Sequence, residues 1–128
     1  MFKSVTIDWD GKDYVIPADS QMRLIAEVEA ALQGDGTRNP LYILTQGDGP
    51  THMETARAYG AALQFAGAKV SVEDVYFSIQ EDVATGSAAR GAEVQAKVIA
   101  LISILSPPLG AKIVGKSEGK KSKGSVSD

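Results

Sequence analysis

Residues 59 to 79 constrain this chain more than any other stretch. Ala61, Ala62, Leu63 and Ala66 keep a helix going up to Gly67, where glycine stops it by taking a left-handed backbone conformation at no steric cost. Ser71 then supplies an N-cap oxygen, and Val72, Val75, Tyr76, Ile79 and Val83 share one face of a second helix. The pattern is a helical hairpin. A DNA-reading helix-turn-helix has the same outline but needs a cationic second helix to meet phosphate. Here that helix carries Glu73, Asp74, Glu81 and Asp82 and no Lys or Arg, which favours a protein-binding scaffold.

A chain of 128 residues suits one domain whose core holds without covalent staples. With no cysteine, neither a disulfide framework nor a thiolate metal site is available, and a reducing compartment fits. The N-terminal ten residues alternate and turn acidic, unlike the apolar run of an export signal. The apolar stretch from Val98 to Leu105 is far short of the ~20 residues of a membrane span. A cytoplasmic protein that does not engage a membrane is expected.

Charge is unevenly placed. Residues 1–110 hold 8 Lys/Arg against 14 Asp/Glu, a net of −6, whereas residues 111–128 hold 5 against 2, a net of +3. The basic segment has too few apolar groups to offset the entropy of ordering it and reads as a disordered tail.

Phe2 to Trp9 alternates, Asp10-Gly11 offers the positive φ angles of a tight turn, and Lys12 to Ile16 returns. A two-residue loop pairs Trp9 with Lys12, Ile7 with Tyr14 and Val5 with Ile16, giving an apolar face that must lie on helices because a lone hairpin is barely stable. After Pro17, Asp19 or Ser20 caps a helix through Leu24, Ile25, Val28, Ala31 and Leu32, stopped by Gly34. Leu41 to Leu44 is a strand or a short helix on propensity alone. Thr51-His52-Met53-Glu54 has capping-box spacing and opens a helix to about Ala66, in which Gly60 sacrifices propensity for close approach. The following helix runs to Val83, with Gly86 as its stop. Ser87 to Ser106 is the longest helix, with Val94, Val98, Leu101, Ile102 and Leu105 on one stripe, Ile99 and Ile104 widening it, and Pro107-Pro108 as terminator. So broad a stripe is either central to the core or partly covered by another subunit.

The expectation is therefore α+β, mostly α: an N-terminal β-hairpin (residues 2–17) on a bundle of four to five helices within residues 1–110, and a disordered basic tail over 111–128. The candidate protein-binding residues are Val98, Ile99, Leu101, Ile102, Ile104 and Leu105.

Catalytic chemistry finds little purchase. His52 is the sole histidine, with no cysteine or paired carboxylate beside it, and reads as a surface residue. Gly47-Asp48-Gly49 lacks the Lys-Ser/Thr of a phosphate loop, and Asp35 and Asp48 lack calcium-loop spacing. Glu73, Asp74, Glu81 and Asp82 read as a solvated helix face, and Trp9 and Tyr14 as core rather than a binding platform. The lysines of the tail, without interleaved aromatics, are an unspecific nucleic-acid signal that a solubilising role explains equally well. No enzyme, cofactor or metal is expected.

The order of elements resembles the tail assembly chaperones of long-tailed bacteriophages and related gene-transfer particles, over roughly residues 2–105. The resemblance is carried by the strand Tyr14 to Pro17, the run Ile25 to Glu29 and the junction Ala66 to Tyr76. It implies a short helix at Leu41 to Gln46 and a non-enzymatic role: binding the tape measure protein, keeping it soluble, and helping recruit tail tube protein in the infected cell before being lost from the finished virion. Self-association along the client would multiply weak contacts. It also implies a longer, frameshifted product departing within residues 111–124. The runner-up is a structural subunit of the same particle, a head–tail connector or tail terminator.

Overall fold

The computed structural model describes residues 3–113, with their side chains except at 88–90. Strands β1 (Val5–Trp9) and β2 (Lys12–Ile16) form an antiparallel hairpin with Val5 opposite Ile16, Ile7 opposite Tyr14 and Trp9 opposite Lys12. Asp10 and Gly11 both take positive φ, 51° and 76°, the mirror-image turn whose twist matches the strands. Ile7 and Ile16 enter the core, and Val5, Trp9 and Tyr14 pack half-buried against it.

Helix α1 (Gln21–Gln33) follows a single 3₁₀ turn at Ala18–Ser20. Neither Asp19 nor Ser20 caps it through a side chain, contrary to expectation. The buried Gln21 amide instead donates to the Ile16 and Pro17 carbonyl oxygens at 3.3 and 3.2 Å, binding the hairpin exit to the helix start. At the other end the Arg57 Nε donates to the Ala31 carbonyl oxygen at 3.1 Å, satisfying one of the acceptors that a helix C-terminus leaves unpaired.

Residues 40–45 are the helix α2 (Pro40–Thr45), resolving the strand-or-helix ambiguity. Asn39 decides it locally: its side chain accepts from the Leu41 and Tyr42 amides at 3.0 and 3.4 Å, and Pro40 sits where a helix has no use for an N–H. Helix α3 (His52–Phe65) opens with the reciprocal Thr51–Glu54 capping box, and α4 (Val72–Thr85) with the same arrangement built by Ser71 and Asp74. Between them Gly67, at φ 97°, ends α3 in a Schellman turn: its amide bonds the Gln64 carbonyl and the Ala68 amide reaches back to Leu63. Helix α4 lies against Gly60 at the distance of an ordinary van der Waals contact, a Cβ there standing 3.5 Å from the Val72 Cα, so the approach does not itself require glycine.

Helix α3 is central, packing on α1, α4 and α5 (Ala88–Leu105), while α2 packs on α1 and α5. The inward face of α4 differs from the periodic reading. Val75 and Ile79 are buried as expected, but Val83 is half-exposed and Asp82, assigned to the solvated face, is 3% exposed. The inward line thus takes the three-residue step from Ile79 to Asp82 in place of the four-residue step to Val83; both steps lie on one helix face.

Residues 107–113 form a sixth helix, α6, where a stop and then a tail were expected. Pro107 and Pro108 occupy its first turn, where their missing donors leave nothing unsatisfied, and the Gly110 amide bonds the Ser106 carbonyl at 2.9 Å. A Cβ on Gly110 would come within 2.6 Å of the Ser103 Cα, so α6 folds back hard against α5. The expected disorder of the tail and its frameshift junction lie, beyond residue 113, outside the described residues.

Candidate protein-binding groove

The structure divides the six apolar residues of α5 assigned to binding. Leu101 and Ile104 are fully enclosed and Ile102 is 6% exposed, so these three belong to the core of the single chain. Val98, Ile99 and Leu105 are half-buried. Val98, Ile99 and Ile102 line an open groove of about 810 Å³, whereas Leu101, Ile104 and Leu105 do not.

The groove is made where three pieces of chain leave a gap. Val94, Val98 and Ile102 recur every four residues and so form one ridge of α5, with Ile99 beside it. Leu109 and Ile113 of α6, four residues apart on one face, form the second wall. The α2–α3 connection and the helix ends beside it supply the third, with Leu44 of α2 and Pro50 apolar and Asp48 and His52 of α3 on the polar rim. Sequence reasoning missed Leu109 and Ile113 because Pro107-Pro108 was read only as a helix stop. The signal was present: proline is tolerated at a helix start, and the four-residue spacing follows it.

His52 is exposed at the start of α3, and its ring Nδ1 meets the Gln80 amide nitrogen at 3.0 Å. In the neutral ring with Nδ1 unprotonated, the Gln80 amide donates, tying α3 to α4.

A second recess, about 860 Å³, lies between the hairpin turn, α4 and α5. It gathers Asp10, Asp74, Glu81, Asp82 and Glu93 around Trp9 and the half-exposed Phe77. Among the described residues, no group of three or more His, Asp or Glu side chains is placed to hold a metal ion. Lys97 reaches from α5 over the Tyr59 ring, 5.4 Å from its centroid, bringing a cation to this acidic margin.

No protein-family model, curated protein or solved structure matches this chain.

Physical chemistry therefore ranks the two recesses. Asp10, Asp74, Glu81 and Glu93 are exposed and solvated, and removing water from them costs free energy unless a cation replaces it. The groove walls carry the partly exposed side chains of Val94, Val98, Ile99, Leu109 and Ile113, and covering the exposed third or so of one such side chain is worth about 0.5–1 kcal/mol. Five of them in a concave, helix-walled surface offer a gross gain of several kcal/mol to an apolar occupant. No helix of the described residues is long and apolar enough to cross a membrane.

Proposed function

We propose that this chain is a non-enzymatic assembly chaperone that sequesters an amphipathic helical segment of a long structural protein, the tape measure protein of a phage-like tail. The observation that carries the reading is the groove between α5, α6 and the α2–α3 connection, whose Val94, Val98, Ile99, Leu109 and Ile113 remain partly exposed in the single chain.

The groove favours a helical occupant. Its walls are helices and a connection, with no strand edge to pair, so an inserted chain has to satisfy its own backbone donors and acceptors. The hairpin, small-residue central helix and capped α4 agree with the order of elements on which the resemblance rests. Holding such segments apart while tube protein assembles around them would keep a long apolar helix soluble in the cytoplasm of an infected bacterium. The chaperone would then be released before the particle is complete.

Co-expression with the long helical protein encoded beside it tests the reading. The native chain should keep that protein in the soluble fraction and be retained on it in a pull-down, and Ile99→Lys should abolish both while its helical circular dichroism persists. A tape measure protein equally soluble and unretained with native chain and variant alike overturns the proposal. Sedimentation separates the alternative of a connector or terminator subunit, which would form a closed ring of fixed size.

A further inference from the structure

The groove is apolar along its floor and charged at one rim. Among its described lining the ionisable side chains are Asp48 and His52, both on the α2–α3 side, and the His52 ring is already engaged by Gln80. Thr45, Gln46, Thr55 and Gln95 complete the polar lining without charge. Asp48 is exposed, so its carboxylate stands in water beside the apolar floor. The α6 wall carries the opposite sign, with exposed Lys112 immediately before Ile113. The surrounding field has the sign of Asp48: residues 3–113 hold 9 Lys/Arg against 14 Asp/Glu, a net of −5, and the whole chain keeps −3. A cationic ligand is therefore concentrated near this surface and an anionic one held off.

We propose that the groove selects an amphipathic helix whose apolar stripe is flanked by basic residues on the side that meets Asp48. This rests on the groove reading above and adds the charge sign of the partner and the flank that bears it. The ridge Val94–Val98–Ile102 rises about 12 Å, so it engages about two turns of a helix lying along it, with apolar residues spaced three and four apart. Beside the Asp48 rim a lysine or arginine of that helix gains an exposed ion pair, and a glutamate meets like charge. Lys112 sets the reverse condition for the flank facing α6, which makes the basic flank one-sided. The apolar contacts supply affinity; Asp48 supplies a discrimination of sign that salt should remove.

The test uses two synthetic 18-residue helical peptides with the same leucine stripe and the same glutamine flank, the other flank being lysine in one and glutamate in the other, titrated into the full chain by fluorescence anisotropy. The lysine peptide should bind about fivefold more tightly at low salt, the size of an exposed attraction set against an exposed repulsion, and the preference should collapse in 1 M salt. Asp48→Asn should cut the preference to about twofold or less, whereas Asp13→Asn, which removes the same charge from an exposed position on the hairpin, should leave it nearly intact. Ile99→Ser should weaken both peptides alike. Equal binding of the two peptides by the native chain, a preference for the glutamate peptide, or a preference that Asp48→Asn and Asp13→Asn reduce equally overturns the charge selection while leaving the groove reading standing. Failure of both peptides to bind a folded chain sinks the groove reading itself. A native dimer dispersed by Ile99→Ser would make a second copy the occupant and overturn the proposal.

Discussion

The Tyr59 hydroxyl donates a 2.7 Å hydrogen bond to the Asp8 carbonyl oxygen, joining residues 51 apart and fastening the hairpin to the central helix. Tyr59 is 2% exposed, and Lys97 lies over its ring. Tyr59→Phe keeps the packed ring and removes only the donor, so it should cost about 1 kcal/mol in urea unfolding, with the slope unchanged. No change in the midpoint would show that the bond does not hold the hairpin.

The same hydroxyl makes stability depend on alkaline pH. Burial, helped by the Asp8 charge, raises its pKa far above the ordinary 10.0. Below pH 10 the proton is bound in folded and unfolded chains alike; above it the unfolded chain ionises first and gains free energy the folded state lacks. Stability should therefore fall above pH 10, by up to about 1.4 kcal/mol per pH unit from this group, and Tyr59→Phe should flatten that part of the profile. An identical alkaline limb in the variant would refute the assignment.

Gly60 separates helix propensity from packing. A Cβ there would meet Val72 Cγ2 at 3.4 Å and Val75 Cγ2 at 3.7 Å, an ordinary contact, while removing glycine from a helix interior gains about 1 kcal/mol. Gly60→Ala should be neutral or stabilising in thermal unfolding, and Gly60→Leu should destabilise by about 1–3 kcal/mol through overpacking. Equal behaviour of the two would mean that α3 and α4 do not meet closely at this point.

Gly110→Ala should act on the groove rather than on the whole fold. Its Cβ would collide with the Ser103 side chain and backbone, so α6 has to lift away from α5, carrying Leu109 and Ile113 with it. Amide hydrogen exchange should rise in residues 109–113 and leave α1 and α3 protected; uniform protection in both chains would show that α6 accommodates the methyl group.

Ile99 and Ile104 lie five residues apart on α5 and should respond oppositely to the same charge. Ile104 is wholly enclosed, so Ile104→Lys buries an ammonium without a partner and should unfold the domain, while Ile99→Lys, at a partly exposed position on the groove wall, should leave a cooperative melt within about 1 kcal/mol of the native chain. A folded Ile104→Lys chain would mean that this face is not core.

Much of this fold is written locally. Asp10-Gly11 and the two-residue alternation leave one register for the hairpin, and the Thr51–Glu54 and Ser71 signals place two helix starts within a residue. What escaped is decided by neighbours. Six residues of α2 are too few to show a period, and the side chain that settles them is Asn39, outside the apolar run. Asp82 and Val83 fit the periodicity of α4 equally well, and their burial depends on how α5 and the hairpin turn sit against it. The groove was half legible: α5 announced excess apolar surface, but whether Ile99 or Ile104 faced outward needed the packing of α3, and the wall from α6 was concealed by reading two prolines as an end.

Of the residues buried in α3, Ala56, Ala58, Gly60 and Ala62 have side chains of one carbon or none. So many small groups on the central rod draw its neighbours inward, and beside its own Tyr59 and Leu63 the large groups of the interior come from the hairpin, α1, α2, α4 and α5 around it. Mutational tolerance should consequently be polarised. Trimming a leucine in α1 opens one hole beside one helix, whereas enlarging an alanine in α3 presses on several partners at once. Sequence drift in proteins built this way would be slowest at the residues that contribute least volume, and the least conspicuous letters of the chain would be the hardest to replace.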